Sequence, residues 1–405
     1  MIPFSPPRID QKIIDEVTDT LRSGWITTGP KTKRFEKELS AYCGAQATLC
    51  LNSATAGLEI MLRWFGVKEG DEVILPAYTY SATANVIIHC GAKPVFVDVS
   101  PVDFNITGAA IAKAITPKTK VVMPVDFGGW PCDYDEINAL VKKHAAVFVA
   151  ETEEQEKLGR ILVLSDAAHS IGAIYNGKKT GALTDVSVFS FHAVKNLTTA
   201  EGGAVALNLP APFDNEAVYR ELCVKTLHGQ NKDALAKMQK GNWRYDIVEA
   251  GYKCNMTDIM ASIGLVELAR YDSDTLVRRK KIVDHYNWVL SAYDWAELPV
   301  MHAGETHSSY HLFPLRIKGI SEQQRDVIVQ KIFDRDVSVN VHFIPVPMMS
   351  YYKSLGYDIK AYPVSFLNYS REISLPVFYD LTEIQINLVL EAVVTSVLEV
   401  VGVNN

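Results

Sequence analysis

Lys195 sits in Ser190-Phe191-His192-Ala193-Val194-Lys195-Asn196, after a β-like run and just before Thr198-Thr199-Ala200-Glu201-Gly202-Gly203. Upstream, Asp166 closes an apolar strand pattern in Leu164-Ser165-Asp166-Ala167-Ala168-His169. A lysine amine that forms a Schiff base needs a depressed pKa, so it must be held partly desolvated against an electron-poor ring. A strand-end aspartate can keep a pyridine nitrogen protonated. The protonated ring then absorbs the electrons left behind when a Cα–H bond breaks. Together these residues are the wiring of a pyridoxal phosphate (PLP) site. Ser190 can offer its hydroxyl to the cofactor phosphate, and Gly202-Gly203 let the backbone pass close to a ligand. His169 could orient Asp166 or contact the O3′ oxygen of the cofactor, or serve the fold alone.

Two further segments carry chemistry. Asn52-Ser53-Ala54-Thr55-Ala56-Gly57 joins a short apolar run to an amphipathic helix. Small residues at a helix N-terminus leave N–H groups aimed at an anion, and the helix dipole favours that charge. Plain N-capping by Ser53 is the simpler reading. The segment lacks the lysine of a Walker loop and the spacing of a dinucleotide fingerprint, which speaks against nucleotide hydrolysis and NAD binding. Tyr80, in Pro76-Ala77-Tyr78-Thr79-Tyr80-Ser81, can stack on a pyridine ring, or pack in the core.

The elements that must position these groups follow from hydrophobic patterning. β-rich runs at 73–75, 94–99, 121–125, 161–164, 186–191 and 204–207 alternate with helical patterns at 55–65, 81–90 and 134–144. Continuous apolar strands alternating with helices predict a mostly parallel sheet flanked by helices, the α/β class. In such sheets ligands bind beyond the carboxyl ends of the strands, where Tyr80, Asp166 and Ser190 fall. Residues 213–245 read as polar and helical, 255–268 as an apolar helix and 275–293 as a long helix. A smaller α/β unit follows, with strands expected at 310–317 and 337–342 and helices at 322–333 and 382–398. The boundary falls near 270, giving 1–270 as a large cofactor-binding domain and 271–405 as a smaller one. The charged run Glu151-Thr152-Glu153-Glu154-Gln155-Glu156-Lys157 reads as an exposed loop or helix extension.

The 405-residue chain is 48% apolar and 21% charged, enough for one large core plus a smaller domain. A net charge of −7 argues against nucleic-acid or membrane-surface partners. The six cysteines form no CxxC pair and read as reduced thiols in a cytoplasmic protein. No signal peptide is visible at the start. The apolar stretch 388–403 is broken by Glu391 and Glu399 and reads as an amphipathic terminal helix, not a membrane span.

Read together, these pieces resemble the DegT/DnrJ/EryC1/StrS aminotransferases, sugar aminotransferases of fold-type I. The resemblance is carried by Ser23-Gly24-Trp25-Ile26-Thr27-Thr28-Gly29-Pro30, the Ser53-Ala54-Thr55-Ala56 turn, the segment from Pro76 to Asn85, and Gly91-Ala92-Lys93-Pro94. Asp166-Ala167-Ala168-His169, the stretch from Ser190 to Gly203, Gly251-Tyr252-Lys253-Cys254-Asn255 and Ser374-Leu375-Pro376 complete it, in order, over nearly the whole chain. The resemblance implies PLP on Lys195, Asp166 at the pyridinium, Tyr80 stacked on the ring, and Ala54, Thr55 and Ser190 at the phosphate. It implies a homodimer with active sites at the interface, where Asn255, with Lys253, would reach the neighbouring cofactor; an N-cap role for Asn255 is the alternative. Trp25, Thr27, Thr28 and His342 would line a sugar-nucleotide pocket. The implied reaction moves an amino group from an amino acid, L-glutamate, to a keto-sugar nucleotide, for amino-sugar and surface polysaccharide synthesis.

Two departures stand out. Pro347 occupies a place where the family often has a second histidine, and Ala200 replaces a family glycine, a small-for-small change. Rival readings are a sugar dehydratase, in which histidine replaces the lysine, a keto-cyclitol aminotransferase, and a catalytically silent protein of the same fold. His307 and His311 share i,i+4 spacing, but no glutamate lies between them as in a zinc-protease helix.

Overall fold

The computed structural model describes residues 1–232 and 243–402. Seven strands build the central sheet: β1 (Ala47–Leu51), β2 (Glu72–Pro76), β3 (Lys93–Val97), β4 (Thr119–Val122), β5 (Leu162–Asp166), β6 (Val186–Ser190) and β7 (Gly203–Leu207). Their spatial order is β1-β7-β6-β5-β4-β2-β3. The run from β3 through β6 is parallel, and β7 alone runs against its neighbours β6 and β1. Every residue of β1, β4, β5, β6 and β7 is buried, as a sheet covered on both faces requires. That double burial explains why these strands read as continuous apolar runs instead of alternating ones.

The helix Ala54–Trp64 lies across β6 and β7. Its approach depends on Gly57: a Cβ there would meet Val188 Cγ1 at 2.9 Å and Val205 Cγ2 at 3.0 Å. The close contact sets the first turn of this helix over the carboxyl end of β6. The helix Ser81–His89 follows β2 in the same way and presents Thr83 toward Asp166.

The second hydrophobic core belongs to the C-terminal part. Strands β8 (Ala296–Glu297), β9 (Phe313–Ile317) and β10 (Glu372–Leu375) form a three-stranded antiparallel sheet. The helices Glu322–Phe333 and Glu383–Val401, each opened by a capping box, pack together beside it. Ile2 joins this core, and Ile2 N donates to Asp336 O at 2.6 Å. The start of the chain therefore packs with its C-terminal part.

Several expectations shift. The strand expected at 310–317 begins only at Phe313, because Tyr310 turns the chain with a φ of 55°. Residues 337–342 make isolated bridges, Ile2 to Val337 and Asn340 to Ser374, and form no strand. The helix expected over 213–245 spans Asn215–Lys225; the remainder of that segment falls partly outside the described residues. The charged run forms the short helix Glu153–Leu158, anchored by Gln155, which is fully buried and donates to Phe65 O at 2.8 Å. The helix Glu383–Val401 is long and apolar enough to cross a membrane by length and composition, yet its Val389, Val393 and Val397 are fully buried in the C-terminal core.

Candidate active site

A cavity of about 370 Å³ opens at the carboxyl ends of β5 and β6. It gathers Ala54, Thr55, Tyr80, Asp166, His169, Ser190, Lys195 and His342 from segments far apart in the chain. Among the described lining residues Lys195 is the only lysine or arginine. Burial pulls its amine down to about 8, against the pull of Asp166. An amine near 8 is partly unprotonated at neutral pH, which is the state a Schiff-base nucleophile needs.

Asp166 ends β5 and is 7% exposed. Its Oδ2 accepts the Thr83 hydroxyl at 2.8 Å, and its Oδ1 accepts the Ala168 N–H at 3.2 Å. Burial raises its pKa, while these donors and the Lys195 charge oppose the rise. Thr79 hydrogen-bonds Thr83 at 2.9 Å and fixes that hydroxyl in turn. Neither threonine stood out in the sequence, although their i,i+4 spacing at the start of a helix is the signal that could have found them.

His169 accepts the Gly128 N–H at Nδ1, 3.2 Å away, so its proton sits on Nε2. Its ring lies 4.3 Å from that of His311 and stacks on Phe343 at 5.8 Å. Burial pushes both histidines well below their usual range, with Lys195 adding to the effect. Both stay neutral beside the lysine. His311 meets Asn196 Oδ1 at 2.9 Å, and Asn196 donates to Ser309 O at 2.7 Å, which ties the turn after Lys195 to the C-terminal part. His311 therefore belongs to the PLP-type cavity. Among the described residues no cluster of three or more His, Cys, Asp or Glu side chains could hold a metal.

At the start of the helix Ala54–Trp64, Ser53 caps it by accepting the Ala56 N–H at 3.1 Å. The N–H groups of Ala54 and Thr55 meet no acceptor among the described residues. Gly203 lies tight beneath them: a Cβ there would come within 2.4 Å of Ala54 N. The turn after Lys195 is strained as well, because Ala200 holds a φ of 70°, a left-handed conformation costing a side-chain-bearing residue about 1–2 kcal/mol. The small-for-small exchange expected at Ala200 thus carries a conformational cost. Tyr80 is 62% exposed at the mouth, its ring centre 5.8 Å from that of Phe343.

Four expected residues lie elsewhere. Trp25, Thr27, Thr28 and Asn255 do not line the cavity. Trp25 Nε1 donates to Thr28 O at 3.1 Å, Asp258 N donates to Thr27 O at 3.0 Å, and Asn255 Nδ2 hydrogen-bonds Thr28 Oγ1. Lys253 in turn donates to Asn255 Oδ1. They form one cluster of their own around the start of the helix Asp258–Ala269, which Thr257 caps.

The cavity fits PLP by its donor set. It offers a depressed lysine amine, a buried carboxylate lacking a cationic partner other than that lysine, and free N–H groups at a helix N-terminus. The profile of the DegT/DnrJ/EryC1/StrS aminotransferase family matches residues 7–394. The chain belongs to this family. It is 37% identical over 396 residues, 97% of the chain and 96% of the relative, to the spore coat polysaccharide biosynthesis protein SpsC of Bacillus subtilis. The PLP form of Spr1654, a candidate sugar aminotransferase of Streptococcus pneumoniae, is 44% identical with a TM-score of 0.94, covering 98% of this chain and 99% of that one. Helicobacter pylori PseC, an aminotransferase of pseudoaminic acid biosynthesis, superimposes with a TM-score of 0.85 at 26% identity, covering 98% and 99%. The chain is accordingly a PLP-dependent sugar aminotransferase of the fold-type I architecture.

Proposed function

We propose that the enzyme moves an amino group from an amino acid, L-glutamate by preference, to a keto-sugar nucleotide. The product would be an amino sugar for surface polysaccharide or cell-wall assembly in the cytoplasm. The observation that carries the reading is that Lys195 and Asp166 line one cavity, with an anion-ready helix start beside them. Family membership and the polysaccharide-related relative support the choice of a sugar acceptor.

Each residue then has a task. Lys195 would bind PLP, Asp166 would hold its protonated pyridine nitrogen, and His169 would lie on the O3′ side. Ala54 N–H, Thr55 and Ser190 would hold the phosphate, and Tyr80 would cover the ring. Bound there, PLP supplies an electron sink for Cα–H cleavage. When free, Lys195 Nζ is the group that takes and returns the substrate proton. The neutral histidines behind it keep the amine from gaining a competing positive neighbour.

The cluster of Trp25, Thr27, Thr28 and Asn255 stands outside its own chain's cavity, which favours a homodimer in which it serves the neighbouring site. Asn255 and Lys253 would reach the partner's phosphate, and Trp25, Thr27, Thr28 and His342 would line the sugar pocket. We take 1–270 as the cofactor-holding unit and 271–405 as the smaller one, with the first residues of the chain packed on the latter. The test is a screen of 3-keto and 4-keto sugar nucleotides with glutamate as donor, read as 2-oxoglutarate formed. Turnover of a keto-cyclitol but of no keto-sugar nucleotide would overturn the acceptor assignment.

A further inference from the structure

His342 faces the Lys195 cavity from the smaller unit, and an unbroken hydrogen-bonded chain runs behind it. Its Nδ1 lies 2.9 Å from Ser374 Oγ, and Ser374 Oγ donates to Glu372 Oε1, the arrangement with Glu372 as carboxylate. The second carboxyl oxygen, Glu372 Oε2, accepts the backbone N–H of His342 at 2.9 Å. Glu372 and Ser374 are both fully buried on β10. The other ring nitrogen, Nε2, has no hydrogen-bond partner among the described residues and is the polar atom His342 has left for the cavity. Phe4 stacks on the ring at 5.4 Å, and Tyr78 donates its hydroxyl to His342 O.

We propose that Glu372, Ser374 and His342 form a proton relay that exchanges a proton with an oxygen of the acceptor in the Lys195 cavity. The proposal rests on the keto-sugar reading for the identity of that oxygen, a carbonyl or the hydroxyl it becomes. Delivery proceeds in three linked transfers. Starting from protonated Glu372, with the Ser374 hydroxyl turned to His342, the Glu372 Oε1 proton passes to Ser374 Oγ, the Ser374 hydroxyl proton passes to His342 Nδ1, and the His342 Nε2 proton passes to the acceptor oxygen. Glu372 ends as a carboxylate, Ser374 keeps one proton, His342 ends neutral with its proton on Nδ1, and the oxygen has gained one. Once the product has left, a proton from solvent enters at His342 Nε2, the Nδ1 proton returns to Ser374 Oγ, and the Ser374 hydroxyl proton returns to Glu372 Oε1, which reloads the chain.

Burial together with Lys195 pulls the His342 imidazole down to about 3, so the ring does not carry two protons at neutral pH. A relay avoids that state, because the ring only changes which nitrogen is protonated. Burial pushes Glu372 up to about 8, which suits a proton store. The charged and titratable groups facing Glu372 are Arg316, Arg325 and Tyr78, and those facing His342 are Lys195, His169 and His311. Both arginines pair with other carboxylates, Arg316 with Glu297 at 2.8 Å and Arg325 with Asp326 at 2.7 Å, and their charges oppose the burial that raises Glu372. A role limited to holding the backbone would use Oε2 alone and leave Oε1, Ser374 and the ring unlinked.

The test uses E372Q and S374A beside the wild type. In protein labelled with 15N-histidine, the nitrogen of His342 that carries the proton should change as pH crosses about 8 in the wild type and stay fixed in E372Q; H342Q assigns the resonance. In the PLP-loaded enzyme, the acceptor half-reaction of both variants should slow by about 100-fold, far more than the donor half-reaction. A tautomer that ignores pH in the wild type, or shifts identically in E372Q, would overturn the relay, as would equal losses in both half-reactions. The tautomer measurement needs no acceptor. Failure of every sugar nucleotide would therefore sink the substrate reading and leave the relay to be judged by the resonance alone.

Discussion

Two buried acids stand on strands of the two sheets, Asp166 lining the cavity and Glu372 one step behind it through His342, and their surroundings differ. Asp166, on the large-sheet wall, faces the Lys195 cation and two hydrogen-bond donors that favour its ionised form. Glu372, on the wall from the smaller unit, sits behind His342 with both nearby arginines committed to other carboxylates. Burial pushes both acids up, Asp166 against its two donors and the Lys195 charge, and Glu372 up to about 8. Burial alone does not assign a role to an acid; its remaining partners do.

The sharpest way to break this comparison is at the lysine. Lys195→Ala should lower transamination by about 10³-fold or more and abolish the absorbance band of the bound cofactor. Transamination retained in full would remove the large-sheet wall from the chemistry. Asp166→Asn should lower kcat by about 10²–10³-fold while PLP still binds, as followed by the cofactor spectrum. A smaller loss than in E372Q would reverse the ranking of the two acids.

Thermal melts across pH test the Glu372 carboxyl directly. A buried acid whose folded pKa is raised binds more protons folded than unfolded between its two values. For Glu372 that window runs from the ordinary carboxylate value of 4.5 to about 8, and its contribution to stability falls as pH rises through it. E372Q removes this fall, so the variant should gain on the wild type between pH 5 and pH 9, read as the difference in Tm. A constant difference would show that Glu372 does not titrate there. The smallest effect concerns the strained turn beside the lysine. Ala200→Gly should raise stability by roughly 1 kcal/mol, measured by denaturant unfolding, since the left-handed φ of 70° suits glycine.

The contrast also marks how far the chain could be read as a string. Asp166, Ser190 and Lys195 were legible because each follows a continuous apolar strand, and such strands announce a covered parallel sheet whose carboxyl edge binds ligands. Glu372 gave no such signal: in Arg371-Glu372-Ile373-Ser374 it occupies an ordinary alternating position, and only the fold sets it beneath His342. His311 was visible merely as half of a spaced histidine pair; the ring that matters to it is His169, which belongs to the other wall. The strand expected at 337–342 dissolved into bridges because Ile2, from the opposite end of the chain, takes part of its pairing.

Local order alone determined the parallel sheet, the capped helix start at Ser53 and the lysine and aspartate at its edge, because apolar periodicity and capping act between near neighbours. Tertiary structure decided which way the pKa values move and which side chains share a cavity. Desolvation and charge pairing depend on distances between residues as remote in sequence as Asp166 and Lys195, or His342 and Phe4. Those distances exist only once the two cores have closed on each other.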